Sequence, residues 1–182
     1  MKLIILDRDG VINEDSDAYI KSPEEWRAIP GSLEAIAALN RAGWRVVIAT
    51  NQSGVARGLF DMDMLTRIHA RMQEALAEAG GHVDAIFFCP HGPDDRCDCR
   101  KPRPGLFEDI ARRLHQPLNG VPAIGDSLRD LQAAEAVGAR PILVRTGKGR
   151  LTEAGLGTNH RLPVYDDLAA AVRRLLEEDT GT

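Results

Sequence analysis

The chain has 182 residues, of which 43% are hydrophobic and 27% are charged, and its net charge is −4. This length suits one domain with a substantial core, so we predict a single domain over residues 1–182. The acidic balance gives no general electrostatic reason to bind nucleic acid or an acidic membrane surface, and we expect neither partner. An anionic ligand must therefore meet locally placed positive groups.

The first apolar run, LIIL at residues 3–6, leads directly into Asp7. It is too short for the hydrophobic region of a signal peptide, and no later stretch approaches the length of a membrane span. We therefore expect a cytosolic protein.

Short apolar runs alternate with amphipathic segments along the chain, which favours a parallel sheet flanked by helices. The predicted strands lie at 2–6, 44–50, 83–89, 121–126 and 140–145, and five is a minimum. Periodicity and capping residues predict helices at about 32–42, 61–79, 104–115, 128–137 and 166–178. The stretch 146–165 fits neither pattern, and we expect fraying from Asp179 to Thr182.

Acidic residues follow two of these strands. Asp7 and Asp9 come directly after the first strand, and Asp126 ends a later one. Ligands of open parallel sheets bind beyond the carboxyl ends of the strands, and buried carboxylates there require a neutralising cation. Oxygen ligands of this kind suit Mg²⁺ with a phosphate, where Asp7 can attack phosphorus and Asp9 can act as acid and base. The alternative is that Asp7 and Asp9 are ordinary surface turn residues.

Candidate phosphate-binding groups follow the other strands. Thr50 and Asn51 open TNQSGVARG, where a hydroxyl and backbone N–H groups can bind phosphate oxygens and Arg57 can reach a second anion. Lys101 lies in RKPRPG, before a predicted helix N-terminus, beside Arg100. The alternatives are a plain turn for the first segment and a solvated charged face for the second.

The segment CPHGPDDRCDC carries the strongest local signal. Cys89, His91, Cys97 and Cys99 provide three sulfurs and one imidazole within eleven residues, which is the ligand set of a closed, structural zinc site. An odd number of clustered cysteines also argues against a disulfide framework. The alternative is a group of free thiols near a chance histidine. The other four histidines are isolated, and we expect them at surface or packing positions.

Four motifs, in this order, resemble the haloacid dehalogenase superfamily, and in particular its heptose-1,7-bisphosphate 7-phosphatases: DRDGVIN, TNQSGVARG, CPHG with CDCRKPRPG, and GDSLRDLQAA. The resemblance covers about residues 3–148. It implies an α/β fold, a Rossmann-like three-layer α/β/α domain with a mainly parallel sheet, no large cap and a zinc-binding loop at 89–101. It also implies Mg²⁺-dependent removal of the 7-phosphate from a small phosphorylated sugar in the synthesis of ADP-heptose for lipopolysaccharide. We expect a monomer.

The same resemblance implies individual roles. Asp7 is the implied nucleophile, Asp9 the acid and base with its carbonyl on Mg²⁺, and Asp126 the third metal ligand. The resemblance implies that Thr50, Asn51 and Lys101 bind phosphate and that Arg57 and Arg100 contact the substrate. It also implies that zinc is bound by four residues, Cys89, His91, Cys97 and Cys99. Ser127 departs from the family pattern, in which lysine is common at this position.

Two other functions remain open. Histidinol-phosphate phosphatases share the zinc loop, but a substrate with one phosphate has no use for a cation at Arg57. A non-catalytic, zinc-stabilised module that binds phosphorylated ligands is the alternative of another class. It has no need for an acidic pair opposite an anion.

Overall fold

The computed structural model describes residues 2–181 and contains six strands in one sheet. In chain order they are β1 (Leu3–Leu6), β2 (Arg45–Asn51), β3 (Ala85–Cys89), β4 (Pro122–Gly125), β5 (Arg140–Val144) and β6 (Val164–Tyr165). The spatial order is β3-β2-β1-β4-β5-β6, and every neighbouring pair is parallel. The strand order reverses between β1 and β4, which is where an open sheet of this type forms its binding crevice.

Six α-helices cover the two faces of the sheet. They are α1 (Ser32–Arg41), α2 (Met62–Glu78), α3 (Gly105–Leu114), α4 (Leu128–Ala136), α5 (Gly149–Leu156) and α6 (Leu168–Thr180). Within residues 2–181 the segments that connect strands and helices carry no inserted cap domain. No helix in this range has the length and apolar character that crossing a bilayer requires.

The central strands are buried on both faces, because their side chains alternate between two cores. In β1, Ile4 and Leu6 join the core that α1, α2 and α6 cover, whereas Leu3 and Ile5 join the core under α3 and α4. All four side chains are at most 2% exposed. This explains why the strand reads as a continuous apolar run, and it confirms the three-layer α/β/α architecture.

The predicted strands and helices agree with the observed ones to within two residues at each end. The stretch 146–165 contains α5 and β6, which the sequence pattern did not reveal. The strand β6 has only two residues, and it exists because it pairs with β5, with Val164 opposite Leu143. The expected fraying is wrong at Asp179 and Thr180, because α6 extends to Thr180 and Asp179 forms an ion pair of 2.5 Å with Lys2. Thr182 lies outside the described residues.

The side chain of Asp61 caps α2 by accepting a hydrogen bond from the backbone N–H of Met64 at 2.8 Å. Asp61→Ala removes this acceptor, so we expect the free energy of unfolding to fall by about 1 kcal/mol in urea titrations. Glu74→Ala, at an exposed position of the same helix, is the matched control and should change stability by less than about 0.5 kcal/mol. Equal losses in the two variants would contradict the assigned cap.

Candidate active site and zinc centre

A cavity of about 390 Å³ opens at the carboxyl ends of the strands, beside the point where the strand order reverses. It is lined by charged residues from several connecting segments. Most of the residues predicted for the site line it: Asp7, Asp9, Asn51, Arg57, Arg100, Lys101 and Asp126.

Three carboxylates converge on this cavity. One oxygen from each of Asp7, Asp126 and Asp130 lies within 4.8 Å of the other two. Nζ of Lys101 lies 2.6 Å from Asp130 Oδ1 and 3.1 Å from Asp7 Oδ1, and it also donates to the carbonyl of Ala49 at 2.7 Å. Lys101 is only 2% exposed. One buried lysine therefore compensates part of the charge of three acids.

The electrostatics of these groups favour a cation. Burial, with Asp130 nearby, raises the pKa of Asp7 to about 7, and burial with Asp7 nearby raises the pKa of Asp126 to about 8. Burial alone would raise the pKa of Asp130 as well, but Lys101 lowers it. A divalent cation beside Asp7 and Asp126 would offset the repulsion and keep both carboxylates ionised. The donor set is all oxygen, and it fits Mg²⁺.

Two glycines shape the space around Asp126. Gly10 and Gly147 both have positive φ, at 82° and 56°. A Cβ on Gly10 would lie 2.1 Å from Asp126 Oδ2, and one on Gly147 would lie 2.2 Å from the same oxygen. The backbone N–H of Lys148 donates to this oxygen at 2.8 Å. The carboxylate of Asp126 is thus held in place by backbone, with no room for a side chain beside it.

Asp9 lies in a different environment from Asp7, although only two residues separate them. Its Oδ1 accepts from Arg8 Nε at 3.0 Å, from the NH2 group of Arg8 at 2.8 Å and from Asn13 Nδ2 at 2.9 Å. Its Oδ2 accepts from Gln52 Nε2 at 2.9 Å. Burial would raise the pKa of Asp9, but the charge of Arg8 and these hydrogen bonds lower it. Binding of the metal by the carbonyl of Asp9 stays a prediction.

Ser127 orients the side chain of Asp130. Its hydroxyl donates to Asp130 Oδ2 at 2.8 Å, and its backbone N–H donates to the same oxygen at 3.0 Å. Asp130 therefore presents its other oxygen, Oδ1, to Lys101. The residue that departs from the family pattern helps to orient an acid of the site.

The two predicted phosphate binders at the end of β2 differ in exposure. Asn51 lines the cavity and holds the backbone of Lys101, donating to its carbonyl at 3.1 Å and accepting from its N–H at 3.0 Å. Thr50 is fully buried and does not line the cavity, and its Oγ1 accepts from Gln52 at 3.0 Å. The Thr50 proton is still available to donate. Phosphate binding by either side chain stays a prediction.

Three arginines, Arg57, Arg100 and Arg129, line the cavity, and Arg129 lies close enough to Arg100 to act on its charge. The guanidinium of Arg57 lies over the ring of Tyr19, 5.8 Å from its centroid. Burial lowers the pKa of Arg100, and the positive charge of Arg129 lowers it further, because the two cations lie close together. This arrangement suits a second anionic group on the ligand.

The zinc-type ligand set predicted in the loop forms one compact cluster. Cys89 Sγ lies 3.4 Å from His91 Nδ1, 3.8 Å from Cys97 Sγ and 3.0 Å from Cys99 Sγ, and His91 Nδ1 lies 3.3 Å from Cys99 Sγ. Ligands of a tetrahedral zinc ion lie roughly 3.5–3.8 Å apart. All three cysteines are unbridged, and burial raises the pKa of the Cys89 thiol, so a cation is needed to hold it as thiolate. The four residues fit a closed zinc centre.

Several contributors were not predicted from the sequence. They hold or border the site, and the sequence assigned a role to none of them: Arg8, Asn13, Gln52, Arg129 and Lys148. Arg8 and Asn13 lie inside the quoted motif DRDGVIN, Gln52 inside TNQSGVARG and Arg129 inside GDSLRDLQAA, so their position beside predicted site residues was the available signal.

The parallel sheet and the carboxylates at its edge define a haloacid dehalogenase-like hydrolase. Two family models agree with this class: one described as HAD-hydrolase-like matches residues 98–171, and one described as polynucleotide kinase 3 phosphatase matches residues 2–126. A D-glycero-β-D-manno-heptose-1,7-bisphosphate 7-phosphatase from Bordetella bronchiseptica is 64% identical over 178 residues, which cover 98% of this chain and 99% of that protein. The chain belongs to the family of D-glycero-β-D-manno-heptose-1,7-bisphosphate 7-phosphatases.

Other relatives agree with this assignment. The Escherichia coli phosphatase of the same name is 37% identical, with 94% of each chain covered. The crystal structure of D,D-heptose 1,7-bisphosphate phosphatase from B. bronchiseptica, complexed with magnesium and phosphate, has a TM-score of 0.95 at 63% identity, covering 98% of this chain and 99% of that one. The Burkholderia thailandensis structure has a TM-score of 0.77 at 48% identity, covering 97% and 99%.

Gly10→Ala tests the geometry around Asp126. The added Cβ overlaps Asp126 Oδ2, so we expect Mg²⁺ affinity, measured by calorimetry, to fall roughly tenfold or more. Gly43→Ala is the matched control, because Gly43 has nearly the same φ, 81°, and an added Cβ there meets nothing within 4 Å. Equal Mg²⁺ affinity in Gly10→Ala and the parent protein would contradict the proposed cation position.

Zinc removal tests the second metal centre. We expect one zinc ion per chain in freshly purified protein, and a zinc-selective chelator in excess Mg²⁺ should lower the thermal unfolding temperature, because a structural zinc ion contributes directly to folding. Cys99→Ser should reproduce this loss. Metal analysis that finds no zinc in the fresh protein would refute the assignment.

Proposed function

We propose that the chain is a Mg²⁺-dependent phosphatase that removes the 7-phosphate of D-glycero-β-D-manno-heptose 1,7-bisphosphate through an aspartyl-phosphate. The product, heptose 1-phosphate, would serve the synthesis of ADP-heptose for the lipopolysaccharide core. The observation that carries this proposal is one cavity that is lined both by arginines and by Asp7, Asp126 and Lys101. The relative from B. bronchiseptica, at 64% identity, supports it.

Asp7 has the environment of a nucleophile. Its Oδ1 accepts from the backbone N–H of Arg8 at 2.8 Å and lies 3.1 Å from Lys101 Nζ. Among residues 2–181, no donor reaches Oδ2, which leaves this oxygen for phosphorus. When bound, Mg²⁺ supplies positive charge to the phosphate oxygens and keeps the carboxylates ionised. Lys101 adds a second positive charge beside the same carboxylate.

Asp9 completes the reaction in two proton transfers. As Asp7 forms its bond to phosphorus, the bond to the sugar oxygen breaks and Asp9 gives that oxygen a proton. Asp9 then takes a proton from water, whose oxygen attacks phosphorus and releases Asp7 and inorganic phosphate. The two acids lie in different hydrogen-bond networks, so their protonation is set separately. The first step needs Asp9 in its protonated form, and the proton that it gives to the sugar oxygen is replaced by the one that it takes from water.

The second phosphate accounts for the arginines at the cavity. Arg57, Arg100 and Arg129 line the same cavity as Asp7 and Asp126, so a bisphosphate could place one phosphate at the acids and the other at the arginines. Histidinol phosphate carries no second anion for them. It remains the competing substrate, and a phosphate-release assay with both compounds distinguishes the two functions.

The protein's setting is also part of the proposal. We infer a single-domain monomer that acts in the cytoplasm on a small phosphorylated sugar, with no nucleic-acid or membrane partner. A net charge of −4 supports the absence of a nucleic-acid or acidic-membrane partner. The model named for a polynucleotide phosphatase matches residues 2–126, which include the nucleophile and acid/base positions common to this class of chemistry.

A phosphate-release assay tests the substrate. Heptose 1,7-bisphosphate, fructose 1,6-bisphosphate and histidinol phosphate are compared with and without Mg²⁺, and we expect the highest kcat/KM for the heptose and no release without the ion. Preference for histidinol phosphate would transfer the proposal to that alternative. Binding without any phosphate release would favour the non-catalytic module.

Asp7→Asn tests the nucleophile. The exchange removes the charge and keeps the volume, so turnover should be abolished while the unfolding transition persists. Asp9→Asn should also lower kcat, by about 10²–10⁴-fold, because proton transfer is lost. Asp94→Asn, an exposed residue of the zinc loop, is the matched control and should retain full activity. Near-parental turnover of Asp7→Asn would exclude it as the nucleophile.

Arg57→Gln tests the second phosphate. Loss of a charge-assisted contact should lower kcat/KM for the bisphosphate roughly tenfold to a hundredfold and change kcat/KM for a sugar monophosphate little. Arg41→Gln, an exposed residue of α1, is the control. Equal effects on both substrates would remove Arg57 from recognition of the second anion.

A further inference from the structure

Arg8 is a completely buried cation next to the cavity, although it does not line it. Its Nε and NH2 groups donate to Oδ1 of Asp9 at 3.0 and 2.8 Å. Arginine is charged and can only donate, so each of its N–H groups needs an acceptor when water is excluded. Together with the hydrogen bonds from Asn13 and Gln52, the orientation of this guanidinium therefore sets the position of the Asp9 carboxylate.

The opposite end of the guanidinium meets His69. The NH1 group of Arg8 lies 3.2 Å from His69 Nε2, and among residues 2–181 this nitrogen is the acceptor that NH1 reaches. Because arginine cannot accept, Nε2 must be the acceptor, and the ring is neutral with its proton on Nδ1. Burial, and then the charge of Arg8, lower the pKa of His69 to about 4, which is consistent with a neutral ring.

The position of the His69 ring is set by the scaffold. His69 belongs to α2, is 9% exposed, and its ring packs at 58° against Phe88 of β3 with centroids 6.2 Å apart. The sequence favoured a surface or packing position for this histidine. Its contact with Arg8 gives it a polar partner in the network that holds Asp9.

We propose that His69 is a positioning residue for Asp9: it fixes the plane of Arg8, which holds Oδ1 of Asp9, so that Oδ2, which accepts one hydrogen bond from Gln52, exchanges the proton. The inference rests on the proposed phosphatase function. In the first step, the Oδ2 proton passes to the bridging oxygen as the bond from phosphorus to that oxygen breaks. In the second, Oδ2 receives a proton from the attacking water as the bond between Asp7 and phosphorus breaks.

Leaving-group dependence tests this role. A sugar phosphate needs a proton on its leaving oxygen, whereas p-nitrophenyl phosphate leaves without one, so the ratio of their kcat/KM values reports the acid function of Asp9. His69→Phe keeps a ring of similar size and removes the acceptor. We expect it to lower this ratio roughly tenfold to a hundredfold, because misplaced catalytic groups lose about that much rate. Asp9→Asn gives the limiting ratio.

Two further variants serve as controls. His69→Gln retains an acceptor oxygen and should restore a ratio close to the parental one. Ile68→Val removes a methylene from a fully buried neighbour in α2, so it should affect stability but not the ratio. If His69→Phe does not show a cooperative unfolding transition, His69→Leu replaces it.

The tautomer gives a readout that is independent of activity. We expect nitrogen NMR of His69 at neutral pH to show a neutral ring with its proton on Nδ1, and a charged ring or a proton on Nε2 would overturn the proposal. An unchanged kcat/KM ratio in His69→Phe would also overturn it. Failure of the parent protein to hydrolyse any monoester with Mg²⁺ would instead overturn the proposed function, and the positioning role with it.

Discussion

The site depends on one buried ion pair network, in which Lys101 lies between Asp7 and Asp130. Its ammonium group lies 3.1 Å from one carboxylate and 2.6 Å from the other. Burial would lower the pKa of this lysine, but Asp130 and Asp7 raise it, so it stays charged. Three clustered acids still exceed one cation, and the remaining repulsion on Asp126 is what makes a divalent metal favourable there.

Lys101 is in turn positioned by two parts of the fold. Its backbone forms two hydrogen bonds with Asn51 at the end of β2, and only one residue separates it from the zinc-type ligand Cys99. A buried lysine on an unanchored loop would lose this position to chain entropy. The Cys3His cluster takes no part in the proposed chemical step, but it anchors the loop that carries the positively charged Lys101.

The two aspartates of DRDG show how different two environments can be within one short motif. Asp7 lies among carboxylates and one lysine, where burial raises its pKa in the absence of a metal. Asp9 accepts four hydrogen bonds from Arg8, Asn13 and Gln52, which lower its pKa despite burial. Arg8, between them in sequence, is fully buried, does not line the cavity and forms an ion pair with Asp9.

Strand periodicity and the edge of a parallel sheet are readable locally, so the sequence predicted the parallel sheet, five of the six described α-helices to within two residues and a candidate site around Asp7, Asp126 and Lys101, but not α5 or β6. The spacing of Cys and His residues likewise predicted the metal-type cluster that the structure contains. Only the tertiary structure brought Arg129 beside Arg100 and joined His69 to Arg8, 61 residues away. The sheet order sets such contacts, and local patterns carry no information about which distant side chains then meet.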